Sequence, residues 1–200
     1  ELIRPGCFMR PRSPRPDRPK TIISVGEFSR QNGYDVLLRA LAEVRDRGLE
    51  FLAVLFGQGP LEHSFHSWVT KQKLGNQITI LPVLANWEDV LGDVDFYVQP
   101  GPFYALHSGP FEALAHGCPI IATKDTAMDL VIPGKTGFLF NAGDHMGLAK
   151  ILIEWLEGKY DWPTMSDQSL TFARQEFSLA RVMDKLIASY HSILTDAGVR

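Results

Sequence analysis

The sequence predicts a doubly wound α/β domain: a parallel sheet covered by helices on both faces and followed by a helical tail. Two patterns carry this expectation. Short, nearly continuous apolar runs end in glycine or proline, the composition of strands buried on both faces. Between them lie amphipathic segments long enough to cross from one parallel strand to the next.

The first run, "TIISVG" (21–26), has strand composition and stops at glycine. "GYDVLLRALAEVRDRG" (33–48) places Val36, Leu37, Ala40, Leu41 and Val44 on one helical stripe and closes with Gly48. "LEFLAVLFG" (49–57) is the second strand, and "PLEHSFHSWVTKQKLG" (60–75) is a helix with proline in its first turn. "ITILP" (78–82), a short polar helix around "NWEDVLGD" (86–93) and "DFYVQP" (95–100) follow. "SGPFEALAHG" (108–117) reads as a short helix and "PIIAT" (119–123) as the fifth strand. From His145 onward three segments read as consecutive helices. In the last, Leu179, Val182, Met183, Leu186, Tyr190 and Ile193 form one apolar stripe.

The 200 residues are 45% hydrophobic with a net charge of −3, which fits one core-bearing domain and gives no footprint for nucleic acid. Phe51 to Phe56 is the longest fully apolar run, far short of the ~20 residues that span a bilayer. Cys7 and Cys118 are expected to be reduced and unbridged. The first twenty residues show no helical or strand period and read as a cut, proline-stiffened, solvated connector. Its basic residues Arg10, Arg12, Arg15, Arg18 and Lys20 can face water or an acidic membrane surface.

In an open α/β sheet, ligands bind beyond the carboxyl ends of the strands. The loops to inspect are therefore "GEFSRQNG" (26–33), "GQGP" (57–60), "LPVLAN" (81–86), "PGPFYALHSGP" (100–110) and "TKDTAMD" (123–129). The glycines admit either a close ligand or ordinary turn chemistry. None of the loops is GxGxxG or a Walker loop. Ser108 suits an N-cap, with Gly109 and Pro110 in the first turn. Glu112 follows at about the fourth helical position, where a carboxylate gains from the helix dipole without any ligand. His63 and His66 share a helix face but lack a third metal ligand, and His116 suits the C-terminal dipole of its helix.

The order of these pieces resembles the C-terminal domain of GT-B glycosyltransferases, in particular the retaining family 4, the "group 1" transferases. The resemblance runs from "RPGCF" through "SVGEFSRQNGYDVLLRAL", "LFGQGPLE", "ITILPVL" and "DVDFYVQPG" to "PFEALAHGCPIIAT" and "VIPGKTGFLF". It implies the Rossmann-like half of a GT-B fold, with 1–20 as interdomain linker and 21–200 as nucleotide-sugar-binding domain, the helical tail occupying 145–200. An N-terminal acceptor domain is then absent from this chain. The implied activity is hexosyl transfer from a nucleotide-sugar to a glycan or lipid acceptor, with the fragment alone inactive. No metal or resident cofactor is expected, and the setting is cytoplasmic, with peripheral association of the full protein at the inner membrane face.

Carried over residue by residue, Glu112 matches the second of the family's two glutamates, on the ribose hydroxyls. Tyr104 stands in place of the first, near the donor sugar. Gly26 and Gly33 are kept, while Glu27 stands where the family has an arginine and Asn32 where it has a lysine. His107, Ser108 and Gly109 would face phosphate, and the backbone of 81–83, Pro82 included, the base. A unit charge at ~4 Å is worth on the order of 4 kcal/mol at an effective dielectric near 20, so the lost cations matter. Three explanations compete. Arg30 swings in as a substitute, helped by Lys124 or Lys135; the donor carries less phosphate charge, as a monophosphate-linked or lipid-linked sugar does; or the domain is a non-catalytic partner or scaffold of an active transferase.

Overall fold

The apolar runs become strands of one six-stranded parallel sheet in the computed structural model, which describes residues 6–9, 18–83, 86–101, 108–124 and 129–196. The strands are β1 (Thr21–Val25), β2 (Leu52–Phe56), β3 (Ile78–Leu81), β4 (Phe96–Gln99), β5 (Ile120–Thr123) and β6 (Gly137–Phe140). Their order is β3-β2-β1-β4-β5-β6. The chain winds outward from β1 to β3, returns to place β4 beside β1, then winds the other way. The reversal opens a crevice at the carboxyl ends of β1 and β4, where ligands bind in folds of this type.

The helices are α1 (Tyr34–Asp46), α2 (Glu62–Lys71), α3 (Gly109–Ala115), α4 (His145–Leu156), α5 (Trp162–Phe177) and α6 (Leu179–Asp196). Register decides which side chains meet them. Ile22 pairs with Ala53 and Phe96, and all three face the core formed with Leu37 and Leu41 of α1 and Leu148 and Leu152 of α4. Ile23 and Tyr97 face the opposite core, with Leu114 of α3 and Phe177 of α5. The expected α1 stripe, Val36, Leu37, Ala40, Leu41 and Val44, is buried throughout. The 86–93 segment forms a 3-10 turn, Trp87–Asp93, rather than an α-helix.

The structure adds to two of these expectations and corrects a third. The sheet has a sixth strand, β6, within "GKTGFLF". Gly137, at φ 148°, lets the backbone approach Ile120, whose carbonyl carbon an added Cβ would meet at 2.7 Å. Second, the apolar stripe of α6 is not core: Val182 is buried, while Met183 is 47%, Tyr190 64% and Ile193 62% exposed. Only Ser178 separates α5 from α6, and α6 docks by its first turns before running past the elements it could pack against among the described residues. Third, the described parts of the connector are docked rather than solvated. Cys7 is buried and its N–H donates to the Phe177 carbonyl at 2.9 Å. Arg18 grips the Asp95 carboxylate with both terminal nitrogens. Lys20 donates to the carbonyls of Trp155 (2.9 Å) and Leu156 (3.0 Å), satisfying the open end of α4. Arg10, Arg12 and Arg15 lie outside the described residues.

Candidate functional site

A cavity of about 460 Å³ opens at the carboxyl end of β1, lined by Val25, Gly26, Glu27, Gln58, Val83, Trp87 and Ser108. Its floor is backbone. Gly26 N–H donates to the Phe56 carbonyl, Phe28 N–H to Gln58 and Gly57 N–H to Leu81, each at 2.9 Å, so the loops after β1, β2 and β3 are stitched side by side. Phe28 is fully buried, edge-on to Tyr34 (4.8 Å between centroids) and Phe65 (5.6 Å), and pins the first loop from beneath.

The glycines make this stitching possible. A Cβ on Gly57 would overlap the Gly26 carbonyl oxygen and sit 2.5 Å from the Phe28 ring. One on Gly59 would come within 2.7 Å of the Phe28 carbonyl oxygen. Gly33, at φ 67°, packs against the Pro100 carbonyl. At these three positions the close approach is to a neighbouring loop, a third role beside the two the sequence left open.

Gly26, Glu27 and Ser108 are the predicted residues that the fold brings to the cavity. Ser108 occupies the N-cap position of α3 but its hydroxyl caps nothing, leaving it on the cavity wall. Gly109 is buried in the first turn of α3. Pro82 is exposed beside the lining residue Val83. Asn32 turns inward on its own loop, its amide donating to the Glu27 carbonyl at 2.8 Å. Arg30, Lys124 and Lys135 are exposed, and none lines the cavity. Tyr104 and His107 lie outside the described residues.

Glu112 is half-buried in α3 and does not line the cavity. Its carboxylate lies beside the Cys7 thiol, which burial first and this negative charge second push up to about 12. Both cysteines are free and buried. His116 sits at the C-cap of α3 with Nδ1 2.8 Å from the Glu112 carbonyl oxygen. His63 and His66 are exposed, and among the described residues no group of three or more His, Cys, Asp or Glu is placed to hold a metal.

Sequence reasoning did not single out Gln58 or Trp87 as site residues. The Trp87 ring stands 6.3 Å from that of Tyr97, whose buried hydroxyl donates to the Val25 carbonyl at 3.2 Å. A tryptophan opening the turn just past a strand's carboxyl end was the available signal. Chemically, Val25, Val83 and Trp87 offer an apolar wall for a flat ring, and Gln58, Ser108 and Glu27 a polar rim for hydroxyls. Glu27 is the lone carboxylate among the described lining residues, so they hold no pair for two-carboxylate glycoside chemistry.

A profile of the family Glycosyl transferases group 1 matches residues 8–169. The chain belongs to this family. Among curated group 1 relatives, the lipopolysaccharide core biosynthesis mannosyltransferase LpcC of Rhizobium leguminosarum is 24% identical over 177 residues, covering 86% of this chain and 50% of LpcC. The pneumococcal O-GlcNAc transferase GtfA, solved in complex with UDP and GlcNAc, superposes with a TM-score of 0.83 at 14% identity, covering 94% of this chain and 38% of that one. Anabaena Alr3699/HepE, solved in complex with UDP, gives 0.74 at 24% identity, covering 86% and 48%. These likenesses bear out the Rossmann-like GT-B half expected from the sequence. The chain spans about half the length of the curated relatives it matches.

Proposed function

We propose that this chain is the donor-binding half of a retaining glycosyltransferase, which moves a sugar from an activated, nucleotide-linked donor to a glycan or lipid acceptor held by a preceding domain. One observation carries the reading: in a group 1 chain, a cavity with a tryptophan in its wall and a polar rim sits where the sheet's winding reverses. In it Trp87 and Val83 face the base, Gln58 and Ser108 the hydroxyl or phosphate oxygens. Glycan or lipid acceptors are supported by LpcC, which is named for lipopolysaccharide core biosynthesis. The full protein then works at the cytoplasmic face of a membrane without crossing it through this part, since no helix among the described residues is long and apolar enough.

Calorimetry with UDP-, GDP- and ADP-sugars tests this. At least one series binds, and Trp87→Ala weakens it about tenfold by removing the ring's stacking surface. Silence from every donor overturns the reading. A second reading, a non-catalytic partner of an active transferase, is favoured by Glu27 in the cavity and by Asn32 facing its own loop. It predicts no donor turnover by the full-length protein with any acceptor.

A further inference from the structure

Glu27 is the one charged side chain among the described residues lining the cavity, and it is acidic. We propose that Glu27 makes the cavity select against ligand phosphate, so that the donor it takes is a sugar carried on a single phosphate rather than on a nucleoside diphosphate. This rests on the reading that the cavity seats a donor.

The backbone fixes the carboxylate's starting point. The Glu27 carbonyl accepts the Asn32 amide (2.8 Å) and the Ser29 N–H (3.0 Å), and the flanking Gly26 and Phe28 N–H groups are each bonded to the next loop. Moving this loop as a unit away from the mouth therefore breaks the two bonds to Phe56 and Gln58 and unseats the Phe28 ring from its aromatic cluster.

None of the described lining residues offsets the charge. Among the described residues no cation pairs with Glu27, and the amide of Asn32 is already used. The exposed Arg30, Lys124 and Lys135 are not lining residues. Every phosphate added to a ligand here brings negative charge toward the Glu27 carboxylate against a wall of Val25, Val83 and Trp87, which screens less than water.

The test titrates the 200-residue chain and its Glu27→Gln and Glu27→Arg variants with nucleoside, nucleoside monophosphate and nucleoside diphosphate, for uracil, adenine and guanine, at low and high salt. Glu27 is exposed, so both variants fold. The wild type loses about three- to tenfold in affinity per added phosphate at low salt and less at high salt, where exposed charges are screened. Glu27→Gln flattens the series and Glu27→Arg reverses it. A second arm uses a short isoprenyl monophosphate: its binding in place of the nucleosides overturns the nucleotide-linked donor proposed above and assigns a lipid carrier, whereas preference for nucleoside monophosphate over diphosphate keeps that donor and assigns it a single phosphate. Affinity that rises along the wild-type series, or a diphosphate weakened by Glu27→Gln, overturns the proposal and leaves the donor reading standing. Absence of binding by every ligand to wild type and to Glu27→Arg overturns both.

Discussion

The Cys7 thiol and the Glu112 carboxylate lie side by side although the chain between them builds most of the sheet. The carboxylate raises the cost of ionising the thiol, adding to the desolvation that already holds it protonated. Glu112→Gln removes the charge and lowers the thiol pKa. At pH 9 to 10 the variant's Cys7 is therefore alkylated faster than the wild type's, as read by mass spectrometry, and equal rates would show that the charge is not felt. Cys7 has a second consequence. Its folded pKa, about 12, exceeds the ordinary 9.0, so its contribution to stability is complete below pH 9 and is lost as pH rises from there toward 12. Urea midpoints at pH 8 and pH 10.5 should fall less in Cys7→Ala than in the wild type. The helix-start position of Glu112 was legible from local sequence; its thiol neighbour was not, because nothing in a connector's composition says which distant side chain it will touch.

Loops and strands are legible where one local pattern decides them. The five long apolar runs and the α1 stripe are of this kind. β6 was missed because four residues opening on glycine carry too little periodicity, and the α6 stripe shows that amphipathicity tells that a face is apolar without telling what meets it. The role of the glycines was likewise hidden: a spacing of one residue between Gly57 and Gly59 fits a turn as well as a seam. The seam makes a sharp prediction. Gly57→Ala must push the Gly26 carbonyl and Phe28 ring apart and should cost about 2–4 kcal/mol in urea denaturation. Gly75→Ala, with open space around its new methyl, should change stability by no more than about 0.5 kcal/mol. Comparable losses in both would mean that backbone freedom, not the seam, is what Gly57 supplies.

At the scale of the molecule, the doubly wound parallel sheet followed from alternating apolar runs and crossovers, whereas its strand order and the anchoring of the connector did not. Arg18 and Lys20 sit among prolines with no period, and their partners, Asp95 and the end of α4, lie far along the chain. Arg18→Met leaves a nearly buried Asp95 with the Thr21 N–H but no cation, which should cost about 3 kcal/mol. Thermal denaturation with Arg18→Lys alongside checks it: the lysine should recover part of the loss, and an undiminished melting temperature in Arg18→Met would refute it. A different kind of constraint comes from the three stitched loops. Peptide groups cannot be exchanged by point mutation, so the base of the recess is closed to evolutionary tinkering. Drift in what it accepts is confined to a handful of replaceable walls, Glu27, Gln58, Val83 and Trp87, and a new preference can arise there without the sheet being rebuilt.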